Sequence, residues 1–157
     1  MPGRRIRARG GFSLIELLIV IAIILIIAAI AMPKLTSARM FAYEMAAIRT
    51  LVTLNTAQTQ YFSTYGRYAT SLAELGPPTG GQNPTAAAAD LITTDLALGN
   101  KSGYKFTMVG SPQGYGVNAE PQVFNTTGKR SFFTDQSTVL RDHIGNEPAT
   151  VNDPEIK

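Results

Sequence analysis

The chain contains no cysteine. That excludes disulfides and thiolate metal sites, so a folded domain must hold itself by packing or by contacts with neighbouring subunits. There is one histidine, His143, with no second histidine at ligand spacing, so it reads as structural or solvated rather than catalytic. No Walker-type glycine loop is present. Gly80-Gly81 has no following lysine and reads as a flexible turn, so any work driven by a nucleotide must come from another protein. Glycine is missing from Phe12 to Met32, and neither glycine nor proline occurs from Lys34 to Tyr65. Charge is missing from Leu17 to Met32, an unbroken apolar run of sixteen residues.

What remains is unevenly distributed. A length of 157 residues allows one compact domain plus one special segment. The chain has 14 basic and 11 acidic residues. Four of the basic ones, Arg4, Arg5, Arg7 and Arg9, precede the apolar run. Without them ten basic residues face eleven acidic ones, a net charge of −1. The basic excess therefore belongs to the first residues and gives no basic patch for nucleic acid.

A basic stretch followed by an apolar one has the layout of a secretory signal. Two features depart from it. No small-residue cleavage site with a clear mature start follows the run, because Ala28, Ala29 and Ala31 lead into Pro33 and a continuing helical pattern. Phe12 to Met32 is also 21 residues, about 31 Å as a helix, which matches the thickness of a bilayer's hydrocarbon core. The arginines predict a cytoplasmic amino end. Glu16 interrupts the segment. On position alone it reads equally as an acid hydrated near the membrane surface or as one that meets a positive charge on another chain.

The residues Gly10-Gly11-Phe12-Ser13-Leu14-Ile15-Glu16-Leu17-Leu18 resemble the processing motif of type IV pilins and type II secretion pseudopilins. The resemblance implies that a membrane peptidase cuts after Gly11, the last leader residue, and methylates the new amino terminus at Phe12. It implies that Glu16 pairs with the terminal amine of an adjacent subunit. Such a pair favours one axial register, because either charge alone is costly in a dry helix bundle. Pro33 stands where many of these pilins carry proline, and reads either as a point where the helix loosens in a filament or as a bend at the membrane edge. The resemblance further implies a homopolymeric filament, a separate assembly ATPase and inner-membrane platform, a precursor in the bacterial inner membrane and an extracellular pilus.

From Lys34 to Tyr65 the helical pattern continues. Phe41, Met45, Ile48 and Val52, at steps of four and three, mark an apolar face, with Arg39, Glu44, Arg49 and Gln58 off it. Ser71 and Glu74 read as a capping box ended by Gly76-Pro77-Pro78. The stretch from Tyr61-Phe62 through Gly66-Arg67-Tyr68 to Leu75 is also similar to pilins. Asp90 to Leu98 predicts a second short helix. Alternation predicts strands at Tyr104–Met108 and Tyr115–Ala119 across a turn at Ser111-Pro112-Gln113-Gly114, with further strands at Arg130–Thr134 and Val139–Asp142. Gly145 to Lys157 reads as extended or mobile.

The expected fold class is α+β, a long amino-terminal spine helix with a small antiparallel sheet as its head. The expected divisions are a leader at 1–11, a membrane and filament-core helix at 12–33, an amphipathic helix at 34–65 and a head at 66–157. No active site and no cofactor are expected. Asp135, Asp142 and Asp153 are the carboxylates from which a calcium site would be built, but they form no compact ligand loop and read as strand ends and turns. Asn100-Lys101-Ser102 and Asn125-Thr126-Thr127 match the glycosylation acceptor pattern and read as chance matches. The reading reached is a structural subunit, the major pilin of a surface type IV pilus. A type II secretion pseudopilin is the alternative. A tip subunit is disfavoured by Glu16, and a monomeric membrane-anchored protein by the Gly11-Phe12 junction.

Overall fold

The computed structural model describes residues 11–156. The chain divides into two compact units, residues 1–37 and 38–157. Helix α1, Leu14–Tyr65, begins in the first and ends in the second.

In the first unit the described residues are the start of α1. No residue from Gly11 to Ser37 is buried, and Phe12, Leu14, Leu25, Ile30 and Met32 are among its most exposed apolar side chains. A sixteen-residue run of Leu, Ile, Val, Ala and Met forms helix readily but finds no partner here. Pro33 lies inside α1, which is continuous across it. The two hydroxyls that follow turn back onto the helix, Thr36 Oγ1 donating to the Met32 carbonyl (3.2 Å) and Ser37 Oγ to the Pro33 carbonyl (3.2 Å).

In the second unit α1 packs on a five-stranded antiparallel sheet. The strands are β1 (Asn100–Lys101), β2 (Tyr104–Ser111), β3 (Gly114–Pro121), β4 (Arg130–Asp135) and β5 (Arg141–Ile144), in the order β1-β2-β3-β4-β5. β2 and β3 alternate as expected: Tyr104 and Phe106, and Tyr115, Val117 and Ala119, point to the core. β4 matches its expected place. β5 starts two residues later than expected. Asp135 Oδ1 accepts from Ser137 N (2.8 Å), and Thr138 takes a left-handed conformation, so the turn consumes residues that sequence assigns to the strand. β1 was not foreseen, since two residues carry no alternation.

The amphipathic face of α1 is centred one residue away from its expected position, although the expected Ile48 still packs, half-buried, against the core. Met40, Glu44, Ala47 and Leu51 are buried, whereas Phe41 and Val52 are 60% and 49% exposed. One residue is a rotation of about 100°. Glu44 and Gln58, expected off the apolar face, are therefore inside it. Apolar spacing fits both faces, and the polar partners decide between them. Gln58 Nε2 donates to the Ala69 carbonyl (3.0 Å) while its Oε1 accepts from Ala69 N (2.9 Å). Asn55 Nδ2 donates to Thr134 Oγ1 (3.0 Å) and Asn55 Oδ1 accepts from Tyr115 Oη (3.0 Å). Gly66, at φ +71°, ends the helix, with its N–H on the Phe62 carbonyl (2.8 Å).

Between helix and sheet lie α2 (Leu72–Leu75) and α3 (Thr94–Ala97). The expected capping box at α2 does not form. Ser71 makes no side-chain cap, and Glu74 instead accepts from Thr70 Oγ1 (2.7 Å), Arg67 (2.9 Å) and Tyr61 Oη (3.0 Å). The second short helix is only four residues of the expected Asp90–Leu98. The segment after Gly145 is extended but pinned to the sheet, and its bonds are described below.

Candidate functional site

The candidate site is the start of α1. Ser13 precedes the helix and its carbonyl accepts from Leu17 N (3.2 Å). Glu16 Oε2 accepts from Ser13 N at 2.8 Å. The carboxylate thus satisfies one of the donors that a helix start leaves without a partner, and its charge suits the positive end of the helix dipole. Glu16 already has a local partner within one chain. Phe12 is 85% exposed. A Cβ built at Gly11 would meet nothing within 4 Å, so this fold does not itself require glycine there. Gly11, Phe12 and Glu16 lie within six residues, whereas Pro33 lies about 25 Å further along the helix at 1.5 Å per residue. Arg4, Arg5, Arg7, Arg9 and Gly10, expected to belong to a leader, lie outside the described residues.

The head brings its polar side chains together as structural networks. Glu44 accepts from Lys129 N (2.9 Å) and Arg130 Nε (2.9 Å), and Arg130 also meets Asp142 (3.0 Å). Burial works against the Arg130 charge, but the bonds to Glu44 and Asp142 outweigh it and raise its pKa. Burial likewise works against the Glu74 charge, and bonds from Thr70, Arg67 and Tyr61 hold its carboxyl below the ordinary value. Tyr61 and Tyr115 are each pushed up to about 12, chiefly by burial.

The three aspartates weighed for calcium do not converge. Asp135 bonds Ser137, Asp142 bonds Arg130, and Asp153 meets His143 Nδ1 (2.9 Å). Among the described residues no three His, Asp or Glu side chains gather as a metal site. The lone His143 is thus engaged with a carboxylate. Sequence reasoning missed Glu44, Asn55 and Gln58 as anchoring residues. The signal that finds Glu44 and Gln58 is the spacing Glu44-Ala47-Leu51-Leu54-Gln58-Tyr61, steps of three and four that place two polar side chains in an apolar seam, and Asn55 lies outside that series.

The family described as the prokaryotic N-terminal methylation motif matches residues 6–32. Those residues include Gly11, Phe12 and Glu16 and the whole apolar run from Leu17 to Met32. The chain is type IV pilin-like. It is 42% identical over 92 residues to the type IV major pilin protein PilA of Myxococcus xanthus (strain DK1622). The match takes in 55% of this chain and 42% of that protein, so the pilin-like chain matches less than half the length of this relative. No solved structure matches. The long first helix and five-stranded antiparallel sheet have the α+β architecture expected of a pilin-like chain.

Proposed function

We propose that this pilin-like chain is the structural subunit, the major pilin, of a type IV pilus. It is made as a precursor, cut after Gly11 and N-methylated at Phe12. Residues 1–11 are the leader, 12–33 the membrane and filament-core segment, 34–65 the second half of the spine and 66–157 the head. The precursor sits in the bacterial inner membrane with a cytoplasmic amino end, and the assembled subunit is extracellular. Its partners are copies of itself, the prepilin peptidase and methyltransferase, and an assembly ATPase with its inner-membrane platform.

The observation that carries this reading is the unburied apolar run of α1. An exposed helix surface of this length and composition is stable only in lipid or against similar helices. Exchange from lipid into a bundle leaves apolar burial about equal, so side-chain packing and the Glu16 pairing select the filament. The tolerance of the fold for a side chain at Gly11 supports processing, since glycine there serves something other than the fold. Pro33 lets the helix loosen or bend on assembly.

Mass spectrometry and amino-terminal sequencing of protein sheared from cells test the reading. A chain that begins at N-methyl-Phe12 and comes from fibres is expected. The same chain confined to membranes would favour a type II secretion pseudopilin, and an uncut leader would overturn the processing claim.

A further inference from the structure

Residues 145–156 touch the sheet in two places. On the face turned away from α1, Asn118 Nδ2 donates to the Ala149 carbonyl and Ser131 Oγ to the Glu147 carbonyl, both at 2.6 Å. Asn118 pairs with Phe133, and Ser131 shares its face. Val117, Phe132 and Thr134 point the other way, into the core and toward Asn55 of α1. Ala149 is buried against this outer face. The segment then runs antiparallel along the otherwise free edge of β5. Asp142 N donates to the Pro154 carbonyl (3.1 Å) and Ile156 N to the Leu140 carbonyl (2.9 Å).

Asp153 ties the two contacts together. Its Oδ1 meets His143 Nδ1 (2.9 Å), and its Oδ2 accepts from Thr150 N (2.6 Å) and Thr150 Oγ1 (2.8 Å). Arg141 reaches over from β5, donating to the Asp153 carbonyl (2.9 Å) and pairing with Glu155 (3.2 Å). The other charged side chains nearby are Asp142 and Arg130, which pair with each other, Glu147 on the segment itself and Lys129, whose carbonyl accepts from Gly145 N (3.1 Å). Apolar anchoring is thin: Ala149 is buried, Ile156 half-buried and Val151 exposed.

We propose that residues 145–156 form a clasp over the sheet, latched by Asp153 against His143, that opens as a unit while the rest of the head stays folded. Segments held mainly by polar bonds with few apolar contacts open before the core does. With no cysteine in the chain, the latch supplies non-covalently the closure that a disulfide would supply in an exported domain. Opening bares Asn118, Ser131 and the outward N–H and C=O groups of β5, a row of free strand-pairing groups.

The latch is also acid-sensitive. The His143 bond, followed by those from Thr150, holds the Asp153 carboxyl below its ordinary value. A carboxylate depressed in the folded state stabilises above the ordinary carboxylate range, and that contribution is lost as pH falls through the folded value. Two further carboxylates, Glu147 and Glu155, stand on the same segment, so Asp153→Asn is needed to isolate the latch.

Hydrogen exchange of the full chain in detergent micelles tests the proposal. In Asp153→Asn, peptides covering 137–144 and 146–156 should exchange at least tenfold faster, while those covering β2 and β3 keep the wild-type rate. Oxidation of a cysteine pair placed by Asn118→Cys and Ala149→Cys should slow the same two peptides, with reversal by thiol. This second variant leaves Asp153 intact and serves if the first fails to fold. Equal acceleration across β3 would make the segment an integral part of the core, and unchanged exchange would remove the latch. Either result would overturn the clasp without touching the pilin reading.

Discussion

Replacing Gln58 with leucine tests which face of α1 packs on the head. By sequence Gln58 lies off the apolar face, and leucine there would be neutral or slightly helpful to the helix. In the folded chain Gln58 is fully buried and bonds both the N–H and the carbonyl of Ala69, itself fully buried. Its Nε2 also lies 3.1 Å from Met108 Sδ. Gln58→Leu keeps most of the volume but strands two backbone groups in the core. Each stranded group costs about 1–3 kcal/mol. A combined loss of about 3 kcal/mol would lower Tm by roughly 10–15 °C for a unit of this size. The matched control is Val52→Ala, six residues earlier and half exposed, which should cost under about 0.5 kcal/mol. Thermal unfolding of both variants in micelles, followed by circular dichroism, gives the comparison. If Gln58→Leu melts with wild type while Val52→Ala loses several degrees, the packed face has been assigned one residue out of place.

Glu16→Ala should leave cleavage after Gly11 largely intact and reduce sheared filaments at least tenfold, read by immunoblot of the sheared and membrane fractions; normal filament yield would rule out the pairing role. Gly11→Ala should be silent for head stability, because its Cβ would meet no neighbour, yet should block maturation, visible as retained leader mass. Gly110→Ala should do the reverse, since its Cβ would come within 2.8 Å of the Ala69 carbonyl oxygen and 2.9 Å of Thr70 Cα. Backbone cannot yield as a side-chain tip would, and a loss of about 1–3 kcal/mol in unfolding is expected. In spectrophotometric titrations read as differences from Tyr61→Phe and Tyr115→Phe, these two tyrosines should resist ionisation until pH about 12. Because both values are raised by folding, their contribution is intact below the ordinary tyrosine value and is lost as pH climbs through 12; an ionisation step near pH 10 that disappears in Tyr61→Phe or Tyr115→Phe would contradict the burial.

The parts legible in the sequence are those encoded over short stretches. The extent of α1 follows from the apolar run and from the absence of glycine and proline between Lys34 and Tyr65. β2 and β3 follow from strict alternation at Tyr104, Phe106, Tyr115 and Val117. The stretch that holds Gly11, Phe12 and Glu16 is likewise local and stands within the matched residues 6–32, while the roles of those three residues belong to the proposed function. What escaped depends on distant partners. Glu44 is buried because Lys129 and Arg130 receive it, and Ser71 fails as a cap because Glu74 is engaged by Tyr61, Arg67 and Thr70. The tail, expected to be extended or mobile, is extended, and the bonds that hold it come from Asn118, Ser131, Arg141 and His143 on the sheet.

The strand order has a consequence for how the head is made. Each strand pairs with the next one in the chain, so the sheet closes by short loops and needs no threading. The bonds that join it to α1 are another matter, with Asn55 reaching Thr134 across 79 residues and Glu44 reaching Arg130 across 86. Loop closure over such spans is the entropically demanding event, and it must wait until β4 exists. On loop-closure grounds, docking onto the helix rather than hairpin closure is expected to set the pace of folding. Until then the seam of α1 stays open to solvent, and the chain is expected to be most open to proteases in that interval.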